Sequence, residues 1–306
     1  MKIIVAITFI LFSFSSVGQQ SLNAKLGYPE DAKLLIIHGD DLGVAHSKNE
    51  ASILAMKVGM VNSASIMMPC PWVEEVAVFA REHPEADLGL HLTLTNEWYR
   101  YNWGPIASKD KVKSLLNENG FLHSDCLKVG QHAVVAEAEI ELRAQIEQAY
   151  SMGINPTHFD THMGCLLFNS AELFEVYLKL GREYKVPVMV SRLFLKAASQ
   201  AFLDKITEED IIIENALTAG PQDYDNGMEA YYTETLNQLE EGVSVLLIHL
   251  AFDDAEMQAV TYGKEYWGSK WRQQDFDFFT SSKCKRLLEE NDIHLITWRE
   301  IGEARR

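Results

Sequence analysis

The chain of 306 residues lacks clustered basic side chains: 27 Lys and Arg stand against 44 Asp and Glu, and the formal net charge is −17 at pH 7. Binding to nucleic acids or anionic membranes needs clustered Lys and Arg, so the charge argues against both and favours a neutral or cationic substrate. Pro-, Gly- or Ser-rich linkers and internal repeats are also missing. The sequence therefore predicts one large domain.

Cysteine is scarce, and none of the four residues belongs to a CxxC pair. A zinc–thiolate site or a redox motif is therefore not expected. An even number would allow pairing in an exported chain, but a chain of this length can bury enough core without covalent links. We expect buried free thiols, with one disulfide as the alternative, among Cys70, Cys126, Cys165 and Cys284.

The N-terminus carries the one long apolar run, from Ile3 to Val17, which follows a single Lys and precedes Gly18 and two Gln residues. A membrane span needs about 20 apolar residues, and this run is shorter. It is typical of a secretory signal peptide with a small-residue cleavage site, with an N-terminal anchor as the alternative. We therefore expect a signal peptide over residues 1–18, a domain over residues 19–306, no membrane span and a periplasmic or secreted protein.

Short apolar runs alternate with helical patterns along the rest of the chain. The runs predict strands over 33–39, 63–68, 87–93, 157–162, 187–191, 243–249 and 294–297, and the patterns predict helices over 47–58, 72–82, 137–152, 171–184, 228–240 and 276–290. This alternation favours an α/β fold: a single-domain (β/α) barrel, seven-stranded and distorted TIM-like, with an open doubly wound sheet as the alternative. In both architectures, polar residues at the carboxyl ends of the strands share one site.

Two adjacent carboxylates, Asp40 and Asp41, end the first predicted strand. Because they point in different directions, one can bind a metal while the other acts as a base. An acidic pair in a turn is the alternative. His91, in the third predicted strand, would on its own be more typical of a satisfied core residue than of a ligand.

The segment HFDTH changes that balance, because His158, Asp160 and His162 fall on one face of a strand. Burying three titratable groups is costly unless hydrogen bonds or a cation compensate for their lost hydration. A metal site explains them, with a surface-facing polar strand as the alternative. His162 lies nearest the carboxyl end and is the predicted ligand, whereas Asp160 and His158 suit supporting or proton-handling roles.

His249 ends the run VSVLLIH, where it could give or take a proton. Arg272 and Asp275 could orient it or one of the carboxylates, or could form an exposed ion pair. Two aromatic clusters, represented by Trp98 and Trp267, could stack on sugar faces or serve as packing lids. Their members are Trp98, Tyr99, Tyr101 and Trp103, then Tyr262, Tyr266, Trp267 and Trp271.

Four motifs in this order, HGDDLGVAHSKNEA, GLHLTLT, PTHFDTH and IHLAFDD, resemble the YdjC/ChbG carbohydrate deacetylases from about Leu34 to Ile301. The resemblance implies a barrel of seven units that hydrolyses N-acetyl groups of amino sugars such as chitooligosaccharides. It implies the metal ligands Asp41, His91 and His162, the general base Asp40, the general acid His249, and a family arginine at Arg272.

Three positions depart from the family pattern: Leu42 replaces a Phe, Gly164 stands where another His is frequent, and Leu250 replaces a Pro. They leave the predicted metal site intact and bear on the substrate. Two ring nitrogens and one carboxylate suit Zn²⁺, Fe²⁺, Co²⁺ or Ni²⁺, while the resemblance leaves Mg²⁺ open.

The expected reaction uses one divalent ion, which polarises the acyl carbonyl and lowers the pKa of a water. Asp40 takes the proton of that water, and His249, as imidazolium, protonates the leaving amine. Two alternatives stay open: an O-deacetylase or amidase on the same barrel, and a non-catalytic glycan-binding protein. The sequence leaves the exact sugar and the oligomeric state undetermined.

Overall fold

The computed structural model describes residues 21–304, so the predicted signal peptide lies outside the described residues. Parallel strands within this range form one sheet. They are β1 (Lys33–Leu42), β2 (Ser63–Ile66), β3 (Leu88–Leu92), β4 (Phe159–Thr161), β5 (Asn215–Thr218), β6 (Gly242–Ile248) and β7 (Ile293–Leu295).

The strand order is β4-β3-β2-β1-β6-β5, and β7 pairs with the first residues of β1. Isolated parallel bridges, Phe159 with Val188 and Ser191 with Ile213, continue the pairing from β4 towards β5. The sheet therefore curls into a half-barrel, which confirms the α/β, barrel-type prediction. Because β1 lies in the middle of the sheet, the residues at its carboxyl end lie at the centre of the barrel mouth.

Helices lie in the connections between the strands and at both ends of the described residues. They are α1 (Leu22–Lys25), α2 (His46–Val58), α3 (Val73–Glu82), α4 (Cys126–His132), α5 (Val135–Ser151), α6 (Cys165–Phe168), α7 (Ala171–Tyr184), α8 (Arg192–Ala197), α9 (Gln200–Leu203), α10 (Pro221–Asn226), α11 (Met228–Asn237), α12 (Ala255–Val260), α13 (Ser269–Phe279), α14 (Ser282–Glu290) and α15 (Trp298–Ala304). Single 3₁₀ turns occur at Lys109–Lys111, Lys113–Leu115 and His162–Gly164. None of the helices within residues 21–304 is both long and apolar enough to cross a bilayer.

Two predicted elements are wrong in detail. The strand expected over 187–191 is reduced to the isolated bridges, and the sheet uses β5 instead, a half-buried segment without a clear apolar pattern. The helix expected over 276–290 is divided between two helices. One ends at Phe279, and the Ser281 side chain caps the next, α14, by accepting a hydrogen bond from the Cys284 N–H.

A disulfide joins Cys126, at the start of α4, to Cys165, at the start of α6. Cys70 and Cys284 are free and buried, as expected. The expectation of free thiols is therefore wrong for one pair, and the disulfide alternative is confirmed. The bond ties the long connection after β3 to the turn that follows β4.

Candidate metal centre

The three predicted ligands meet at the mouth of the half-barrel, Asp41 and His91 on strands and His162 on the turn directly after β4. Asp41 Oδ1 lies 3.5 Å from His91 Nε2 and 3.4 Å from His162 Nδ1. All three side chains are buried, and their candidate ligand atoms lie within 4.8 Å of one another. The structure thus brings together residues that are far apart in the sequence.

A bulge in β1 explains how both adjacent carboxylates reach this site. The pairing of β1 with β2 shifts register between Gly39 and Leu42, and Asp41 has a φ of 66°, in the left-handed region. A bulge of this kind redirects side chains locally. Asp41 consequently faces His91 and His162, while Asp40 stays buried beside them.

The chemistry of this group fits a divalent cation. Asp41 Oδ1 is buried without a hydrogen-bond partner among the described residues, which is costly unless a positive charge compensates. Burial would raise the pKa of Asp41, but Arg272 and His162 hold it well below its usual range. One carboxylate oxygen and two ring nitrogens are a donor set that binds divalent transition metals. The assignment as ligands stays a prediction.

Asp160 supports His91 from the neighbouring strand. Its Oδ1 lies 3.0 Å from His91 Nδ1, and its Oδ2 accepts hydrogen bonds from Ser65 Oγ at 2.9 Å and His38 Nε2 at 3.1 Å. A carboxylate on the far nitrogen of a ligating histidine fixes the ring orientation, so the contact with Asp160 leaves Nε2 facing Asp41. Asp160 therefore lies where the predicted supporting role requires.

His38 is a further buried histidine of the site that the sequence pattern does not single out. Its Nε2 also lies 3.2 Å from Asp40 Oδ1, so the ring bridges Asp40 and Asp160. Burial would lower the pKa of His38, but its close contacts with these two carboxylates raise it to about 10. Its position two residues before Asp40 puts it on the same face of β1, and this spacing could have indicated its contact with Asp40.

His158 is a core residue in the described structure. It is fully buried, stacks on Trp298 at 5.1 Å between ring centroids, and shares a hydrogen bond with Thr157 Oγ1. Burial and the charge of His38 hold its pKa well below the usual value, so the ring is neutral. A Cβ on Gly89 would lie 2.4 Å from the His158 ring, so glycine is what lets β3 approach it.

Glu97, in the loop after β3, was also missed. Its Oε2 accepts a hydrogen bond from His162 Nε2 at 3.0 Å. Burial would lower the pKa of His162, but Glu97 and Asp41 raise it to about 10. No periodic pattern marks Glu97, because it lies in an irregular aromatic loop.

Asp40 and His249 form a second pair beside the candidate ligands, with Asp40 Oδ2 3.8 Å from His249 Nε2. The backbone N–H of His249 donates to Asp275 Oδ2 at 2.8 Å, and the Tyr232 hydroxyl donates to Asp275 Oδ1 at 2.6 Å. Burial lowers the pKa of His249 to about 4, so the ring is neutral at pH 7. Asp275 thus orients His249 through the backbone.

Arg272 contacts the candidate ligand Asp41 directly. Its Nη1 donates to Asp41 Oδ2 at 2.9 Å, and its Nε donates to the Trp267 carbonyl at 2.8 Å. Arg272 and Asp275 are both buried, so the alternative of an exposed ion pair is wrong.

Lys48, on α2, carries a fully buried amino group that no sequence pattern singles out. Its Nζ donates to the Leu250 carbonyl at 2.9 Å, one residue beyond His249, and burial lowers its pKa to about 7. A Cβ on Gly39 would lie 2.9 Å from Leu250 Cδ1. Lys48 and the bare backbone at Gly39 therefore fix how closely the end of β6 approaches β1.

The predicted aromatic residues divide into buried and exposed members. Trp98 is 5% exposed and packs against Tyr101 and Trp103, with the Arg272 guanidinium 5.5 Å from its ring. By contrast, Trp267 is 38% exposed. Other exposed rings are Tyr99 and Tyr262, and Arg100 stacks on Tyr262 at 3.6 Å from the ring centroid.

Comparisons with known proteins match nearly the whole described chain. A family model described as YdjC-like protein matches residues 34–290. A carbohydrate deacetylase of Thermus thermophilus is 31% identical and covers 89% of this chain and 95% of its own length. A chitooligosaccharide deacetylase of Proteus mirabilis is 23% identical, covering 88% and 99%. A crystal structure of an Enterococcus faecalis protein, designated a cellobiose-phosphate cleavage protein, aligns with a TM-score of 0.73 at 25% identity, covering 88% and 99%.

Proposed function

The chain belongs to the YdjC-like protein family, and we propose that it is a metal-dependent hydrolase that removes an N-acetyl group from an amino sugar or oligosaccharide. The observation that carries the proposal is the convergence of Asp41, His91 and His162 next to the pair Asp40 and His249. The names of two relatives, a carbohydrate deacetylase and a chitooligosaccharide deacetylase, support the substrate class.

Asp41, His91 and His162 would hold one divalent ion, Zn²⁺ or Mg²⁺. When bound, such an ion supplies Lewis acidity, which polarises an acyl carbonyl and makes a water more acidic. Arg272 occupies the second oxygen of Asp41, and Asp160 and Glu97 occupy the far nitrogens of the two histidines. These contacts leave one atom of each ligand facing the shared position.

The pair Asp40 and His249 would handle the protons. Asp40 takes a proton from the attacking water as general base. His249 is neutral at rest, so it must gain a proton before it can act as an acid. The proton that Asp40 takes from water would pass to His249 through one bridging water, because 3.8 Å separates Asp40 Oδ2 from His249 Nε2. The resulting imidazolium then protonates the leaving nitrogen. This path uses one proton for both steps.

The exposed rings near the barrel mouth would contact the sugar. Trp267 and Tyr262 lie in the loop that precedes α13, whose Arg272 contacts Asp41. Exposed aromatic rings can stack on the apolar faces of sugars. Trp98, being buried, would instead support the wall behind Arg272.

We further propose that the protein is exported after removal of residues 1–18. The disulfide between Cys126 and Cys165 supports this, since such bonds persist in oxidising compartments. Expression of the full chain in a bacterial host, with fractionation and N-terminal sequencing, tests it. The expected product starts at Gln19 outside the cytoplasm, and an unprocessed cytoplasmic product would contradict the proposal.

Acetate release tests the reaction. We expect release from N-acetylglucosamine oligomers, while activity confined to O-acetylated xylan would assign an esterase instead. Elemental analysis should find about one divalent ion per chain, lost in His162→Ala and retained in His132→Ala, a control at an exposed histidine.

Asp40→Asn tests the base separately from the metal. We expect the variant to keep its metal and to lose acetate release by about 10²-fold or more, the usual scale for a general base. The control is Asp292→Asn, at a side chain 94% exposed. Undiminished turnover in metal-loaded Asp40→Asn would show that the assigned base is wrong.

A further inference from the structure

We propose that Glu97 is a positioning residue that holds the His162 ring for metal binding, so that the loop after β3 sets the affinity of the site for its cation. The inference rests on the metal site of the proposed function and adds a residue outside the ligand set. It also implies that the two candidate histidine ligands are supported by different parts of the fold.

The two ring nitrogens of His162 have separate partners. Nδ1 lies 3.4 Å from Asp41 Oδ1, on the side of the candidate site, and Nε2 lies 3.0 Å from Glu97 Oε2. With the Nε2–H hydrogen-bonded to the Glu97 carboxylate, Nδ1 is the ring atom that faces Asp41, and it would present its lone pair once a cation takes the place of its proton. Contacts of this type select the tautomer and the ring orientation of a ligating histidine.

The backbone around His162 holds the ring less firmly than a strand would. His162 opens a 3₁₀ turn in which Met163 has a φ of 55° and Gly164 a φ of 72°, so regular sheet pairing ends at Thr161. His91, by contrast, lies inside β3 and has paired strands on both sides. A side-chain contact must therefore supply the orientation at His162.

Glu97 is itself held in place by the surrounding loop. The Asn96 N–H donates to the His123 carbonyl at 2.7 Å, and Trp103 Nε1 donates to the Thr95 carbonyl at 2.9 Å. The Tyr101 hydroxyl donates to the Val44 carbonyl, just beyond the bulge of β1. These bonds fix the backbone on both sides of Glu97, so its carboxylate reaches His162 from a preformed position.

The test measures metal binding rather than turnover. Metal-stripped wild type, Glu97→Gln and Glu97→Ala are titrated with Zn²⁺ against a chromogenic chelator, which gives a Kd for each. We expect Glu97→Ala to bind about 10 to 100 times more weakly. The Kd of Glu97→Gln should lie between those of Glu97→Ala and the wild type, because an amide oxygen still accepts the hydrogen bond but lacks the charge. The control is Glu118→Gln, an exposed residue of the same connection, whose Kd should equal that of the wild type.

A second readout does not depend on affinity. In the Zn²⁺-loaded wild type, ¹⁵N NMR of the histidine rings should show His162 protonated at Nε2, and Glu97→Ala should broaden or shift that signal while leaving the His91 signal unchanged. A Kd for Glu97→Ala within about threefold of the wild type, with an unchanged His162 signal, would overturn the inference. If the wild type binds no Zn²⁺, or His162→Ala binds it equally well, the metal site of the proposed function fails instead.

Discussion

The two sides of the candidate metal site are built differently. On the strand side, Asp41 and His91 lie on central strands, and Asp160 reaches His91 from the adjacent β4. On the loop side, His162 follows the end of its strand and is held by Glu97 from an irregular loop. Backbone pairing therefore positions the first side, while individual tertiary contacts position the second. We expect substitutions on the strand side to affect folding most, and those on the loop side to affect the site more than the fold.

The largest effect is expected for Asp160→Asn. The change removes the charge that compensates the buried His38 and supports His91, and breaking a buried ion pair typically costs about 3–5 kcal/mol. Urea unfolding of the metal-free protein measures the loss. Glu97→Gln is the matched loop-side variant, with a smaller expected loss. Equal losses in the two variants would refute the proposed difference between the sides.

An intermediate effect is expected for Cys126→Ser combined with Cys165→Ser. The disulfide closes a separation of 39 residues, and bonds of this kind contribute about 2–4 kcal/mol to the free energy of unfolding. Because Cys165 lies three residues after His162, Zn²⁺ affinity should fall as well. Thermal unfolding and the chelator titration measure both, with Cys284→Ser as the free-thiol control. An affinity equal to that of the wild type would show that the bond supports the fold without supporting the site.

The smallest effect is expected at the stack of Arg100 on Tyr262, which joins the loop after β3 to the loop before α13. An exposed cation–π contact contributes about 0.5–1 kcal/mol. A double-mutant cycle of Arg100→Ala and Tyr262→Ala, measured on the free energy of unfolding, should give a coupling of that size. In each variant we expect KM for the sugar to rise and kcat to change little. A coupling near zero would mean that the two loops are held independently.

The strand side could be located from the sequence, because its residues follow simple positional rules. Asp41 ends an apolar run, and His91 and Asp160 fall on interior positions of strands, so periodicity and strand ends were sufficient. The position of His162 near Asp41 could be expected too, since His162 closes the same alternating segment as Asp160.

The partners of these residues could not be predicted in the same way. Glu97 and Lys48 acquire their roles from atoms far along the chain, at His162 and at the Leu250 carbonyl, and no local pattern encodes such contacts. The same holds for the pairing of Cys126 with Cys165, because spacing does not define disulfide connectivity. Strand β5 was missed because it is short and only half buried.

The absence of a side chain at Gly39 affects the distance between Asp40 and His249. Leu250 fills the space that a methyl group at position 39 would need, and this lets the chain carry the imidazole of His249 up to Asp40. The spacing between Asp40 and His249 thus depends on the absence of a side chain at position 39. Any larger residue at position 39 would have to push Leu250, and with it the adjacent His249, away from β1, and so would widen the 3.8 Å separation between His249 Nε2 and Asp40 Oδ2.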